Sequence, residues 1–199
     1  MLDMTWTEVA GFATGVVSVW LYVRQRVWAW PVGIANSSLW LVLFWDSRLY
    51  LDAGLQVVYV AIGLWGWFWW VNGGPERNEL PVSRTRTAEA TALGCGAVVG
   101  IAALWWAMTR QADAMPFWDS VTTVVSLVAQ YMLTRKLLGN WWCWMAVDVI
   151  YVGVYTAQGL YLTAALQPLF FAMCVVGLRS WRSSLAARTA PVQAVQVAS

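Results

Sequence analysis

The chain has 199 residues, of which 60% are hydrophobic and only 11% charged, and its mean hydropathy is +0.58. A soluble domain carries about one charged residue in four, so this composition belongs in a lipid bilayer, and a net charge of +2 offers no argument for nucleic acid. Histidine is absent, which removes imidazole acid–base chemistry and the commonest metal ligand. Cys95, Cys143 and Cys174 fall one per hydrophobic segment, which suits packing residues rather than a metal site or a disulfide framework. No cofactor is expected.

Seven apolar segments follow in chain order, each of about the length needed to cross the hydrocarbon core. Trp6–Val23 lacks a basic leader and a small-residue cleavage site, so it is expected to be a retained helix rather than a signal peptide. Val27–Trp45 carries Asn36 near its middle, and Leu49–Val71 carries Gln56. The stretch Asn72–Thr87, with Gly73-Gly74-Pro75 and several charges, is the natural linker. Ala90–Thr109, Pro116–Leu133, Leu137–Thr156 and Leu160–Leu178 complete the set, and the tail beyond Arg182 is expected to be disordered. Of the twelve basic residues, ten (Arg24, Arg26, Arg77, Arg84, Arg86, Arg135, Lys136, Arg179, Arg182 and Arg188) fall on one side of the membrane and only Arg48 and Arg110 on the other. That bias places the N-terminus outside and the C-terminus in the cytoplasm.

The order of short matches points to a duplication. Leu49-Tyr50 recurs as Leu160-Tyr161, and Leu55-Gln56 as Leu166-Gln167, both displaced by 111 positions. With a one-residue shift, Trp30 and Asn36 align with Trp142 and Asp148. Segments one to three then repeat as five to seven, with the fourth as the connector that restores orientation. The expected fold is an all-α integral membrane protein of seven transmembrane helices, a 3+1+3 parallel repeat of three-helix bundles. Its divisions are a first repeat over 1–72, linker and connecting helix over 73–110, a second repeat over 111–182 and a disordered tail over 183–199. In transporters built this way the solute site lies near mid-membrane between the repeats.

Candidate site residues cluster in the sixth segment. Asp148 is a lone carboxylate at mid-membrane depth, where a charge costs about 2.5–3.5 kcal/mol on insertion scales, so a function is its default explanation. A structural carboxylate satisfied by a neighbouring helix is the bland alternative. Trp141 and Trp144 share a helix face, and Asp148 lies one turn beyond Trp144, so indole faces and a charge line up for a flat, cationic solute. Tyr151 follows near the same face, with Tyr155 a turn further on. Gln56 is a neutral amide in an apolar helix, whereas Gln167 precedes Pro168, which frees a carbonyl for it. Most of the 17 tryptophans, including Trp65, Trp67, Trp69, Trp70, Trp105 and Trp106, are assigned to the interfacial belt. Glu8 and Asp119 sit near helix ends, where a carboxylate is ordinary.

The runs Pro116-Phe117-Trp118-Asp119-Ser120, Thr134-Arg135-Lys136 and Asn140-Trp141-x-x-Trp144-x-x-x-Asp148 resemble the PnuC family of nicotinamide riboside transporters, and the likeness extends from Trp6 to Trp181. The resemblance implies a facilitator related in fold to the SWEET sugar transporters, set in the inner membrane. It also implies a homo-oligomer, with a trimer as the leading candidate, and passive uptake of a vitamin precursor trapped by an intracellular kinase. Carried over residue by residue, it puts the aromatic ligand motif on Trp141 and Trp144 and the polar helix-six position on Asp148. Gln56 and Asn36 become polar contacts. Nicotinamide riboside carriers of the family have Asn where this chain has Asp148, and related subgroups carry thiamine or riboflavin. A carboxylate beside indoles suits a cationic ring, which ranks nicotinamide riboside ahead of thiamine and riboflavin.

Other classes fare worse. A retinal photosensor needs a lysine in the seventh helix, and the single lysine is Lys136. An enzyme needs a nucleophile beside a base or clustered carboxylates, and neither can be assembled. A sugar facilitator of the same fold is the nearest alternative.

Overall fold

The computed structural model describes residues 6–46, 48, 50–74, 78–110 and 115–189. Glu8 and Arg77, weighed above, have side chains outside the described set. Among the described residues there are seven helices: α1 (Trp6–Val23), α2 (Ala29–Asp46), α3 (Tyr50–Asn72), α4 (Thr87–Met108), α5 (Pro116–Thr134), α6 (Asn140–Ala157) and α7 (Tyr161–Thr189). By length and composition, three stretches are apolar enough to cross a membrane: Ala53–Asn72, Thr87–Met108 and Thr163–Arg188. Polar residues such as Asn36, Ser37 and Ser38 lower the hydropathy of α2.

Two helix groups pack by the same scheme. In the first, α1 lies on α2 and α2 on α3; in the second, α5 lies on α6 and α6 on α7. The groups meet where α1 crosses α7 and α3 crosses α5, and α4 leans on α5 without burying any residue of its own. The turns that reverse the chain are alike too. Gln25 (φ 55°) and Lys136 (φ 48°) both adopt the left-handed conformation, which costs a side-chain-bearing residue about 1–2 kcal/mol. Around them Gln25 N–H donates to Tyr22 O and Arg26 N–H to Leu21 O, while Lys136 N–H donates to Leu133 O and Leu137 N–H to Met132 O. Each of these residues is displaced from its counterpart by 111 positions.

The core gathers at the basic end of the bundle. Trp30 meets Trp70 edge-on at 5.5 Å, and Trp141 meets Trp181 edge-on at 5.3 Å. Trp70 and Trp181 then join the two pairs at 6.0 Å. Gly66 and Gly177 make room for this: a Cβ on Gly66 would run into the Trp30 ring, and one on Gly177 into Trp141. Two hydrogen bonds tie the groups together across the same end. Trp70 Nε1 donates to Leu133 O and Trp181 Nε1 to Tyr22 O, both at 3.0 Å.

The structure changes three sequence-based assignments. Trp70 is wholly buried rather than part of an interfacial belt, because its indole N–H finds a carbonyl on the other helix group. Trp30 corresponds to Trp141 and not to Trp142, since Gly66 and Gly177 fix the rings in register, while Trp142 is exposed. The same register sets Asp148 against Ser37 and Asn36 against Val147. Finally, α7 runs past Arg182 to Thr189, so 183–189 is not a disordered tail. Trp181 anchors that stretch, and Ser184 accepts a hydrogen bond from Gln25 Nε2 at 2.9 Å. Residues 190–199 lie outside the described set.

Between α3 and α4 the linker folds back over the closed end. Leu80 N–H donates to Trp70 O, Ser83 N–H to Lys136 O and Leu138 N–H to Ser83 O, which makes a parallel bridge between the linker and the α5–α6 turn. Val82 is buried against the aromatic cluster.

Candidate functional site

Asp148 is the ninth residue of α6 and sits halfway along it. Only 7% of it is exposed, so it faces the bundle interior rather than lipid. Cys174 of α7 donates its S–H to Asp148 Oδ2 at 3.7 Å. A thiol is a weak donor, and a carboxylate has about four acceptor sites, so most of the capacity of Asp148 is unfilled. No Lys or Arg pairs with it among the described residues. Cys174 was assigned to packing from sequence; its thiol contact depends on α7 approaching α6, which no local spacing reveals.

Along the same face lie Trp144, half-buried against the aromatic cluster, and Tyr151, whose ring stacks on Tyr155 at 5.0 Å and 11°. Tyr59 of α3 hydrogen-bonds Ser126 of α5, at the seam between the two helix groups. Trp141 is 2% exposed and belongs to the closed aromatic end, two turns from Asp148. Among the described residues its Nε1 has no hydrogen-bond partner, and neither has Nε1 of Trp30. An unsatisfied buried donor costs about 1–3 kcal/mol and calls for an explanation. Trp30 is therefore a site candidate that sequence reasoning passed over; only its register with Trp141 signalled it.

The remaining two candidates are placed differently. Asn36 Nδ2 donates to Gly11 O and, at 2.9 Å, to Thr14 Oγ1, so its amide nitrogen ties α2 to α1 and only its carbonyl oxygen is left. Gln56 is half-buried on α3 and its side chain forms no hydrogen bond among the described residues. Gln167, by contrast, is buried and donates to Thr163 O within its own helix at 3.4 Å. Thus Trp144, Asp148 and Tyr151 share one face, with Trp141 at its closed end, while Asn36 is committed within the first group. No group of three metal-ligating side chains occurs among the described residues.

An apolar seven-helix bundle with a carboxylate turned inward at mid-helix and one end sealed by indoles defines a multi-pass membrane transporter. The chain belongs to the nicotinamide mononucleotide transporter family, whose model matches residues 5–183. It is 26% identical to the nicotinamide riboside transporter PnuC of Escherichia coli (strain K12) over 208 residues, covering 92% of this chain and 87% of that protein. It is 30% identical to the riboflavin/roseoflavin transporter RibM of Streptomyces davaonensis over 184 residues, covering 88% and 84%. In fold it is similar to the crystal structure of the vitamin B3 transporter PnuC, with a TM-score of 0.70 at 20% identity, covering 91% of this chain and 82% of that one.

Proposed function

We propose that this chain carries nicotinamide riboside across the inner membrane, passively, with an intracellular kinase trapping the cargo. The observation that carries the proposal is Asp148: a buried carboxylate with a thiol as its partner is matched by a cargo that brings its own positive charge, the pyridinium ring. Trp144 stacks on the ring, Trp141 joins it once the sealed end opens, Gln56 and Tyr151 bond ribose hydroxyls, and Asn36 accepts through its carbonyl oxygen. The likeness to a nicotinamide riboside transporter over most of the chain supports the same cargo.

Transport proceeds by alternating access, with two three-helix units (1–72 and 111–182) related by a pseudo-two-fold axis along the membrane normal. Matching turns, glycines and indoles at a displacement of 111 support that division. The ten-to-two bias of basic residues supports a cytoplasmic assignment for the indole-sealed end. Opening that end breaks the Trp70–Leu133 and Trp181–Tyr22 hydrogen bonds. The bare outer face of α4 suits assembly into a homo-oligomer, with a trimer as the leading candidate.

A second reading, riboflavin, is favoured by the 30% identity to a riboflavin/roseoflavin transporter. Calorimetric titration of purified protein with nicotinamide riboside, thiamine and riboflavin separates the two. Saturable heat with nicotinamide riboside at the lowest concentration is expected; tighter binding of riboflavin would reverse the ranking.

A further inference from the structure

A second polar feature lies away from the proposed cargo path. At the basic end, the α1–α2 turn, the linker, the α5–α6 turn and the last turns of α7 border an open cleft of about 500 Å³, lined among others by Gln25, Glu79, Val82, Lys136, Ser184 and Arg188. Ligand cavities run about 300–1,000 Å³, so a small metabolite or a headgroup fits by size.

Lys136 dominates its chemistry. It is only 3% exposed, yet among the described residues its ammonium makes no hydrogen bond or ion pair; it lies over the Trp70 ring, with Nζ 4.3 Å from the centroid. Of the charged groups facing it, Glu79 on the linker attracts and Arg188 on α7 repels. Burial outweighs Glu79 and pushes the lysine down to about 8. On its own turn, Arg135 is held over the Trp69 ring at 5.1 Å. An ammonium has three donors, and ring contact satisfies none of them. The cleft thus holds two cations against one carboxylate, with the Gln25 amide and the Ser184 hydroxyl beside them.

We infer that this cleft is a second ligand site, which takes a phosphate group bridging Lys136 and Arg188. Phosphate oxygens supply short, charge-assisted acceptors for both cations at once. Glu79 attracts the same lysine from a distance without pairing with it, so a phosphate on Lys136 repels the Glu79 carboxylate and occupancy is felt by the linker. Because the linker is pinned to the α5–α6 turn through Ser83, the ligand also holds the sealed end shut. The group can belong to a soluble phosphate monoester or to an anionic phospholipid headgroup at the membrane surface.

Two arms distinguish these sources. In detergent, the thermal midpoint of the purified full chain is followed against inorganic phosphate and nicotinamide mononucleotide. In nanodiscs, it is followed against phosphatidic acid in a phosphatidylcholine background. The expected result is a saturable rise in at least one arm that weakens as pH goes from 7 to 9, where Lys136 loses its proton. Lys136→Met is expected to raise the half-saturating concentration about tenfold or more. Arg188→Ala, on the exposed last turn of α7, gives the same test should the buried substitution fail to fold. A rise with the soluble esters assigns a metabolite site, and a rise with lipid alone assigns a headgroup site. No saturable rise in either arm, or a rise unchanged in every variant that folds, overturns the inference.

Discussion

The two helix groups agree in their scaffold and differ in their chemistry. Trp30 and Trp141, Gly66 and Gly177, Trp70 and Trp181, and the left-handed Gln25 and Lys136 all correspond at a displacement of 111, and each does the same mechanical job. Apart from Gln56 and Gln167, the chemistry-bearing positions do not correspond. Asp148 stands opposite Ser37, Cys174 opposite Gly63, Tyr151 opposite Trp40, and the basic Lys136 opposite a neutral Gln25. Packing that opens and closes one end needs matched parts on both sides. A cargo with one charged ring needs that charge met only once.

The largest expected effect comes from breaking the matched glycines. Gly66→Leu and Gly177→Leu each drive a side chain into an indole with nowhere to move, and each should destabilise by at least about 3 kcal/mol. The thermal midpoint of the purified variants measures this, and similar losses in both are the signature of equivalent positions. Next come the crossed indole bonds. Trp70→Phe and Trp181→Phe each remove a hydrogen bond between the groups while the Leu133 and Tyr22 carbonyls keep their turn N–H donors, at about 0.5–1.5 kcal/mol each. A marked loss in one with none in the other would break the comparison.

Lys136 tests the asymmetry of the turns. Its pKa of about 8 lies below the ordinary 10.5, so between these values the unfolded chain holds a proton that the folded protein has released. Stability attributable to this group therefore rises as pH climbs from 8 towards 10.5, and the full penalty applies below 8. Lys136→Met should raise the midpoint at pH 7 and flatten that slope, whereas Gln25→Met should do neither. The smallest effects belong to the unpartnered indoles. Trp30→Phe and Trp141→Phe should cost little stability, while a role in binding predicts nicotinamide riboside affinity about three- to tenfold weaker by calorimetry.

Much of the fold was legible in the sequence because its signals are long and local. Seven apolar segments start within a few residues of the seven described helices and end as close to them, except that α7 runs to Thr189 rather than Leu178, and Pro116 marks the first turn of α5. Asp148 was legible because a mid-helix charge has few ordinary explanations. What escaped depends on long-range partners. Adjacent tryptophans at 141 and 142 left the repeat register off by one until Gly177 selected between them. Trp70 looks interfacial from its place near a helix end, and only the Leu133 carbonyl makes it core. Lys136 reads as a surface lysine until the linker folds over it through Ser83.

The central claim is that Asp148 meets the charge of the cargo, and Asp148→Ala tests it by removing the carboxylate. Calorimetric titration of wild type and variant with nicotinamide riboside and with riboflavin is the direct measurement. The account predicts that nicotinamide riboside binds the variant at least about tenfold more weakly while riboflavin is unaffected. Equal nicotinamide riboside affinity in the two proteins would contradict it.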